Sequence, residues 1–195
     1  TSNVSSDNKI ANLCSKNDIK IYRGSLSDVM QRFIECAEHF NLDYFVRVGG
    51  DDPLIDPDCC LKIISLNEKD NYDLIYASHR KGWPYGAACE LISVKSLKKV
   101  HRKNINSFYK EHTIPYFFDN PKEFKIKKLN SPKSLLRPDY YLTVDYPEDL
   151  DLIREIFKHL QKKRPDFTFK EVINLIDNNL HLLSINSHLH EGFEF

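Results

Sequence analysis

Residues 44–57, YFVRVGGDDPLIDP, restrict the fold more than any other stretch of the chain. Tyr44-Phe45-Val46-Arg47-Val48 is short, β-branched and aromatic, and it stops at two glycines. That is the pattern of a buried strand running into a tight turn. Gly49 and Gly50 admit backbone angles closed to other residues, so Asp51 and Asp52 can turn sharply out of a sheet edge before Pro53 stiffens the exit. Ligands of open α/β sheets bind beyond the carboxyl ends of the strands, which makes Asp51 the first candidate functional residue. The same residues also suit a plain surface turn capping the next helix.

The rest of the chain alternates helices and strands as an α/β fold does. Asp7 is expected to cap a short helix ending near residue 16, followed by a strand at 19–23 and a helix at 27–40, where Ser25 and Asp28 look like a capping arrangement. Val29, Met30, Phe33, Ile34, Ala37 and Phe40 recur along one face of that helix and read as core. Arg23 follows a strand and precedes a glycine and a helix N-terminus, where a guanidinium and backbone N–H groups can hold an anion; a solvated loop arginine is the other reading. A chain that opens in a helix implies a preceding strand upstream, so the numbering is expected to begin inside a truncated sheet.

A helix at 57–67 and a strand at 73–77 lead to the loop at 79–86, HRKGWPYG, whose Gly, Pro and aromatic content suits binding. Glu90 lies in a strand at 88–92, where a carboxylate needs a partner or an exposed edge. Helices are expected at 93–100 and 105–118. The second carries Glu111 and His112 ahead of Pro115, and its aromatic neighbours favour a structural role for His112 unless it faces the cleft. Residues 124–129 alternate apolar residues and lysine, as an edge strand does. Residues 140–145, YYLTVD, repeat the opening pattern of a strand ending in an acid. Pro147 then starts a helix whose first turns carry Glu148, Asp149 and Asp151, matching the helix dipole. Helices at 150–160 and 169–182 follow, and His188 and His190 in the tail read as surface residues.

Two strands ending in Asp51 and Asp145 would bring paired carboxylates to one rim of the sheet, which suits Mg²⁺. No Walker lysine loop, C-x-x-C pair or G-x-S-x-G arrangement offers a competing chemistry. Lysine plus arginine and aspartate plus glutamate both number 28, an even balance that argues against a general nucleic-acid or membrane-surface binder. Five cysteines, odd in number and set in apolar segments, read as reduced thiols of a cytoplasmic protein. No apolar run approaches the roughly 20 residues of a membrane span.

Residues 1–32, with TSNVSSDNKIA and then IYRGSLSDVMQR, resemble the SpsF-type, spore-coat polysaccharide branch of the cytidylyltransferase family, relatives of the acylneuraminate and KDO cytidylyltransferases. The resemblance continues through RVGGDDPLIDP, YGAACELIS, EHTIPYF and TVDYPEDL, covering nearly all of residues 1–156. It implies a Rossmann-like nucleotide-diphospho-sugar transferase fold, with a mixed, mostly parallel sheet flanked by helices. It also implies transfer from a nucleoside triphosphate, CTP foremost, to an acidic or amino sugar for surface polysaccharide, with release of pyrophosphate.

Carried over by position, the resemblance makes Asp51 and Asp145 the Mg²⁺ ligands and, with Arg47, the catalytic set. It assigns Arg23, Ser25, Asp28 and Arg32 to the nucleotide, and Gly86, Glu90, Glu111 and His112 to the second substrate. Ala88 stands where many relatives carry an acid. The family's first strand and its glycine- and arginine-rich nucleotide loop belong ahead of Thr1, so residues 1–195 alone are expected to be inactive. A nucleotidyltransferase-like domain is expected over 1–163 and a helical extension packed on it over 164–195, with a homodimer admitted. Two other readings stay open: a metal-dependent glycosyltransferase using Asp51 and Asp52, and a non-catalytic domain that binds a sugar or a partner.

Overall fold

The computed structural model describes residues 1–77, 82–162 and 166–190. In chain order the elements are α1 (Asn8–Lys16), α2 (Val29–His39), β1 (Tyr44–Arg47), α3 (Pro57–Asp70), β2 (Leu74–Ala77) and β3 (Glu90–Ser93). They continue with α4 (Val94–His101), α5 (Ser107–Glu111), α6 (Pro115–Asp119), β4 (Ile126–Leu129), α7 (Pro147–Gln161) and α8 (Phe169–Asp177). Among the described residues the strands form one sheet in the order β1-β3-β2-β4, mixed and mostly parallel and flanked by helices. β3 is the reversed strand. Ala77 N–H donates to the Cys89 carbonyl at 3.1 Å and Ser93 N–H to the Asp73 carbonyl at 3.0 Å, so rising numbers on one strand meet falling numbers on the other. Leu74, Ile75, Leu91 and Ile92 on the two inner strands are buried. β4 exposes Lys127 and Lys128, as its edge position allows.

The chain divides into two compact units. The first comprises Thr1–Phe45, Tyr72–Leu74 and Ile92–Ile126. Within it, α2 buries Met30, Ile34 and Ala37 at helical spacing and packs on α4 and α5. Burial of each large apolar side chain of this kind stabilises by about 1.5–3 kcal/mol. Asp28 caps α2 by accepting the Gln31 N–H at 2.9 Å. Its other oxygen meets His101 Nε2 at 3.0 Å and Lys110 Nζ at 3.5 Å, tying the start of α2 to the end of α4 and to α5.

The expected strand at 19–23 does not form a ladder. Residues 1–3 instead run alongside 22–24 through a single parallel bridge, Ser2 with Gly24, supported by Asn3 N–H to the Gly24 carbonyl at 2.9 Å. Residues ahead of α1 thus give the 22–24 segment one backbone partner. The expected helix at 105–118 is broken into α5 and α6, because Pro115 has no N–H to donate to the carbonyl of Glu111.

The second unit comprises Val46–Asn71, Ile75–Leu91 and Lys127–Phe195. Its α3 starts with Asp56 as cap and Pro57 in the first turn. α7 buries Leu152, Ile153, Ile156 and Leu160 and packs on α8, whose buried residues include Val172, Ile173 and Ile176. A 3-10 turn, Leu180–Ile185, also packs on both helices and buries Leu182. α8 opens with a capping box in which Thr168 Oγ1 accepts the Glu171 N–H and the Glu171 carboxylate accepts the Thr168 N–H. It ends at Asp177, short of the expected 182.

Residues 140–145 are not a strand of the sheet, although their composition suggests one. They pair through one parallel bridge, Tyr85 with Tyr141, and are otherwise irregular. Of the loop expected at 79–86, residues 79–81 lie outside the described residues, as does the junction at 163–164.

Candidate active site

The site belongs to the second unit and is built from three loops held by backbone hydrogen bonds. After β1 the chain turns, with Asp52 N–H donating to the Gly49 carbonyl at 3.3 Å. The Asp51 carbonyl accepts the Val144 N–H at 2.9 Å and the Thr143 hydroxyl at 3.2 Å. On the other side, Tyr85 N–H donates to the Tyr140 carbonyl and Leu142 N–H to the Tyr85 carbonyl, both at 2.9 Å. Residues 140–144 therefore run between the acidic turn and the loop at 84–86, and Asp145 follows directly.

Two glycines make this close packing feasible, each for its own reason. Gly86 has φ +88°, and a Cβ there would stand 2.6 Å from the Thr143 nitrogen. Gly49 does not need a left-handed backbone; a Cβ there would fall on the carboxylates of Asp51 and Asp52. Gly50 has open space around it and φ outside the left-handed region, so the conformational role expected for it is not used.

The loops enclose a cavity of about 240 Å³. Arg47, Gly49, Asp51 and Asp52 line it from β1 and its turn, Tyr85, Gly86, Ala88 and Glu90 from the loop into β3, and Thr143 and Asp145 from the third loop. Four carboxylates thus share the cavity with one guanidinium. Arg47 Nη1 lies 3.1 Å from Glu90 Oε2, which supplies the partner that Glu90 needs. Burial drives the Glu90 carboxyl up, with Arg47 opposing and Asp52 reinforcing the shift. Burial likewise raises Asp52; Thr143 opposes this and Asp51 adds to it. The Tyr85 hydroxyl is raised by burial and then by Asp145, Asp52 and Asp51. An acid-rich, half-enclosed cavity of this kind favours a cation.

Asp145 is held from two directions. Its carboxylate accepts the Tyr141 hydroxyl. Its backbone N–H donates to Asp149 Oδ2 at 3.0 Å, and the same oxygen accepts the Tyr146 N–H at 2.8 Å. Asp149 Oδ1 accepts Asn186 Nδ2 at 2.9 Å and lies 2.8 Å from His190 Nε2. The Tyr141 ring stacks on Tyr85, centroids 4.7 Å apart, and on His190, 3.4 Å apart. His190 is therefore buried against the site rather than placed on the surface. Asp149, read from sequence only as a dipole-matching acid, is fully buried and satisfied by four donors. Sequence reasoning also left out Tyr85 and Thr143, which have no local signature. The Asp149 contact to Tyr146 had one, an acid three residues after a helix start.

The structure brings Arg47, Asp51, Gly86, Glu90 and Asp145 together. Arg23, Ser25, Asp28, Arg32, Glu111 and His112 all belong to the first unit, and none lines this cavity. Arg23 is committed to the Ser2 and Val4 carbonyls and to Asn8 Oδ1 at 2.8–2.9 Å, so it braces the opening residues instead of presenting a free fork. Ser25 accepts the Asp28 N–H and gives its carbonyl to Arg32. His112 packs against the Phe108 ring at 4.9 Å, the structural alternative considered for it.

Among the described residues, no group of three or more His, Cys, Asp or Glu side chains converges to hold a metal ion. Asp51 and Asp145 supply hard oxygen donors on two neighbouring loops of one cavity. That set fits Mg²⁺, which takes one or two protein carboxylates and fills its octahedron with water and phosphate oxygens.

Comparison with known proteins agrees with this architecture. The family model described as cytidylyltransferase matches residues 2–184. An uncharacterised protein of Methanocaldococcus jannaschii is 30% identical over 185 residues, covering 95% of this chain and 74% of the relative. The spore coat polysaccharide biosynthesis protein SpsF of Bacillus subtilis is 27% identical over 180 residues, covering 92% and 73%. Among solved structures, a cytidylyltransferase from Leptospira borgpetersenii superposes with a TM-score of 0.86 at 25% identity, covering 93% of this chain and 76% of that one.

Proposed function

Because this chain belongs to the cytidylyltransferase family, we propose that it activates a sugar by nucleotidyl transfer, with CTP as the favoured donor and pyrophosphate as the leaving group. The observation that carries the reading is the single cavity that gathers Asp51, Asp145 and the Arg47–Glu90 pair at one end of β1 and β3. Similarity to the Bacillus subtilis spore coat protein supports surface polysaccharide as the destination of the product.

In this reading Asp51 and Asp145 hold Mg²⁺. The chemistry that Mg²⁺ supplies when bound is neutralisation of charge on the phosphate oxygens during in-line attack at the α-phosphate. The chain's own residues arrange that event. Thr143 and Val144 fix the Asp51 loop through its carbonyl, Gly86 lets the third loop approach, and Glu90 orients the Arg47 guanidinium toward the cavity wall. Preset groups of this kind lower the reorganisation needed in the transition state.

Asp51→Asn and Asp145→Asn, made in a form of the protein that releases pyrophosphate from CTP, test the reading directly. Each should abolish Mg²⁺-stimulated pyrophosphate release from CTP across a panel of sugars, with circular dichroism unchanged. Undiminished release in both variants would overturn the metal assignment. Free nucleoside diphosphate in place of pyrophosphate would favour a glycosyltransferase using Asp51 and Asp52.

A further inference from the structure

We infer that Asn186 and His190 are positioning residues for the acid Asp145, so that the segment after the Leu180–Ile185 turn forms part of the active site. This rests on Asp145 being a Mg²⁺ ligand. Asp145 is held by two groups, and both lead to the same pair of side chains. Its backbone N–H is fixed by Asp149 Oδ2, while Asp149 Oδ1 takes Asn186 Nδ2 at 2.9 Å and His190 Nε2 at 2.8 Å. Its carboxylate is fixed by the Tyr141 hydroxyl, whose ring lies under His190 with centroids 3.4 Å apart. Asn186 Nδ2 also donates to the Tyr141 carbonyl at 3.1 Å. Both residues lie beyond positions 2–184, which the family model matches, so the family match does not account for them.

Asp149 is fully buried and Asn186 is 1% exposed. A buried carboxylate that loses a donor retains its desolvation cost, and it relaxes by drawing on its remaining partners. Those partners include the N–H groups of Asp145 and Tyr146, so loss of Asn186 or His190 is transmitted to the direction in which Asp145 points. Groups that orient metal-holding side chains in this way typically change metal affinity or activity about 10–100-fold when removed.

The test uses the full chain and Mn²⁺ alone as probe, followed by water proton relaxation, with melting temperature recorded on the same samples. His190→Phe keeps a flat ring on Tyr141 and removes the donor to Asp149; Asn186→Ala removes the other donor; His190→Gln restores one. We expect His190→Phe and Asn186→Ala to weaken Mn²⁺ binding about 10-fold and His190→Gln to recover most of it. Asp145→Asn is the control that should abolish binding. Wild-type Mn²⁺ affinity in His190→Phe and Asn186→Ala, beside loss in Asp145→Asn, would overturn the positioning role even if melting temperatures fall. Wild-type affinity in Asp145→Asn would overturn the metal reading itself. Should His190→Phe fail to fold, the milder Asn186→Ser decides on the same measurement.

Discussion

The backbone N–H of Val144 donates to the carbonyl of Asp51 at 2.9 Å, so the residue just before one candidate metal ligand is bonded to the other. The two acids are separated by more than ninety positions in the chain, yet their loops are bonded to each other through the backbone. Thr143 adds a second bond to the same carbonyl.

Thr143→Val removes that hydroxyl with little change of shape. Thr143 is 2% exposed, and the lost hydrogen bond should cost about 1 kcal/mol of stability. Mg²⁺-stimulated turnover should fall by a larger factor than stability explains, because the Asp51 loop loses an anchor. Urea denaturation and pyrophosphate assays on the same preparation check this; equal turnover would show that the Val144 bond suffices.

The three glycines of the site should separate cleanly. Gly86→Ala combines a left-handed backbone with a Cβ pressed on the Thr143 nitrogen, and should destabilise by about 1–3 kcal/mol. Gly49→Ala should spare stability more than activity, since the intruding Cβ displaces the carboxylates of Asp51 and Asp52. Gly50→Ala should leave both near wild type, within about 0.5 kcal/mol. A Gly50→Ala variant as damaged as Gly49→Ala would contradict the geometry.

Asp28 gives the first unit a pH-dependent component. Burial alone would raise its carboxyl, but the Gln31 N–H, His101 and Lys110 outweigh burial and hold it below the usual value of 3.8. A depressed folded value means that the stabilisation is present above that usual value and is lost as pH falls through the folded one. Asp28→Asn should therefore cost about 1–3 kcal/mol near neutrality, and the gap to wild type should close below pH 3.8. Denaturation at pH 7 and at successive acid values measures it; a gap independent of pH would remove the charged contacts from the account.

Arg137 forks onto Asp177, with Nε to Oδ1 at 2.9 Å and Nη2 to Oδ2 at 2.5 Å, and the Tyr140 hydroxyl joins Oδ1 at 2.6 Å. This joins the end of α8 to the residues that lead into the 140–145 segment. Arg137→Lys keeps the charge and loses the two-pronged geometry, so it should lower stability by about 1 kcal/mol, discounted toward the lower end by solvent screening. A double-mutant cycle with Tyr140→Phe should show coupling of at least about 0.5 kcal/mol. Additive effects would mean that the two groups act independently.

Much of this protein was legible from neighbouring residues alone. Asp28 as a cap, Pro57 and Pro147 in first turns, the alternation of helix and strand, and Asp51 beyond β1 all follow from interactions within a few positions of each residue. The strand-like letters at 19–23 and 140–145 misled for the opposite reason. A strand needs a partner, and partners are supplied by distant segments: residues 1–3 in one case, Tyr85 in the other. Arg23 looked available because its acceptors, backbone carbonyls of Ser2 and Val4, carry no signature in the sequence.

The sequence by itself determined which residues could do the chemistry and which local elements would carry them, because caps, turns and periodicity depend on short-range sterics and hydrogen bonding. Tertiary structure alone decided that His190, in a polar tail, would be buried against Tyr141 and Asp149, a contact spanning 41 positions. It also decided that Arg47 would pair with Glu90 across 43 positions and leave the acids of Asp51 and Asp145 facing one cavity. Contacts of that length form only when the packed core repays the entropy of closing the chain between them, so no local pattern announces them.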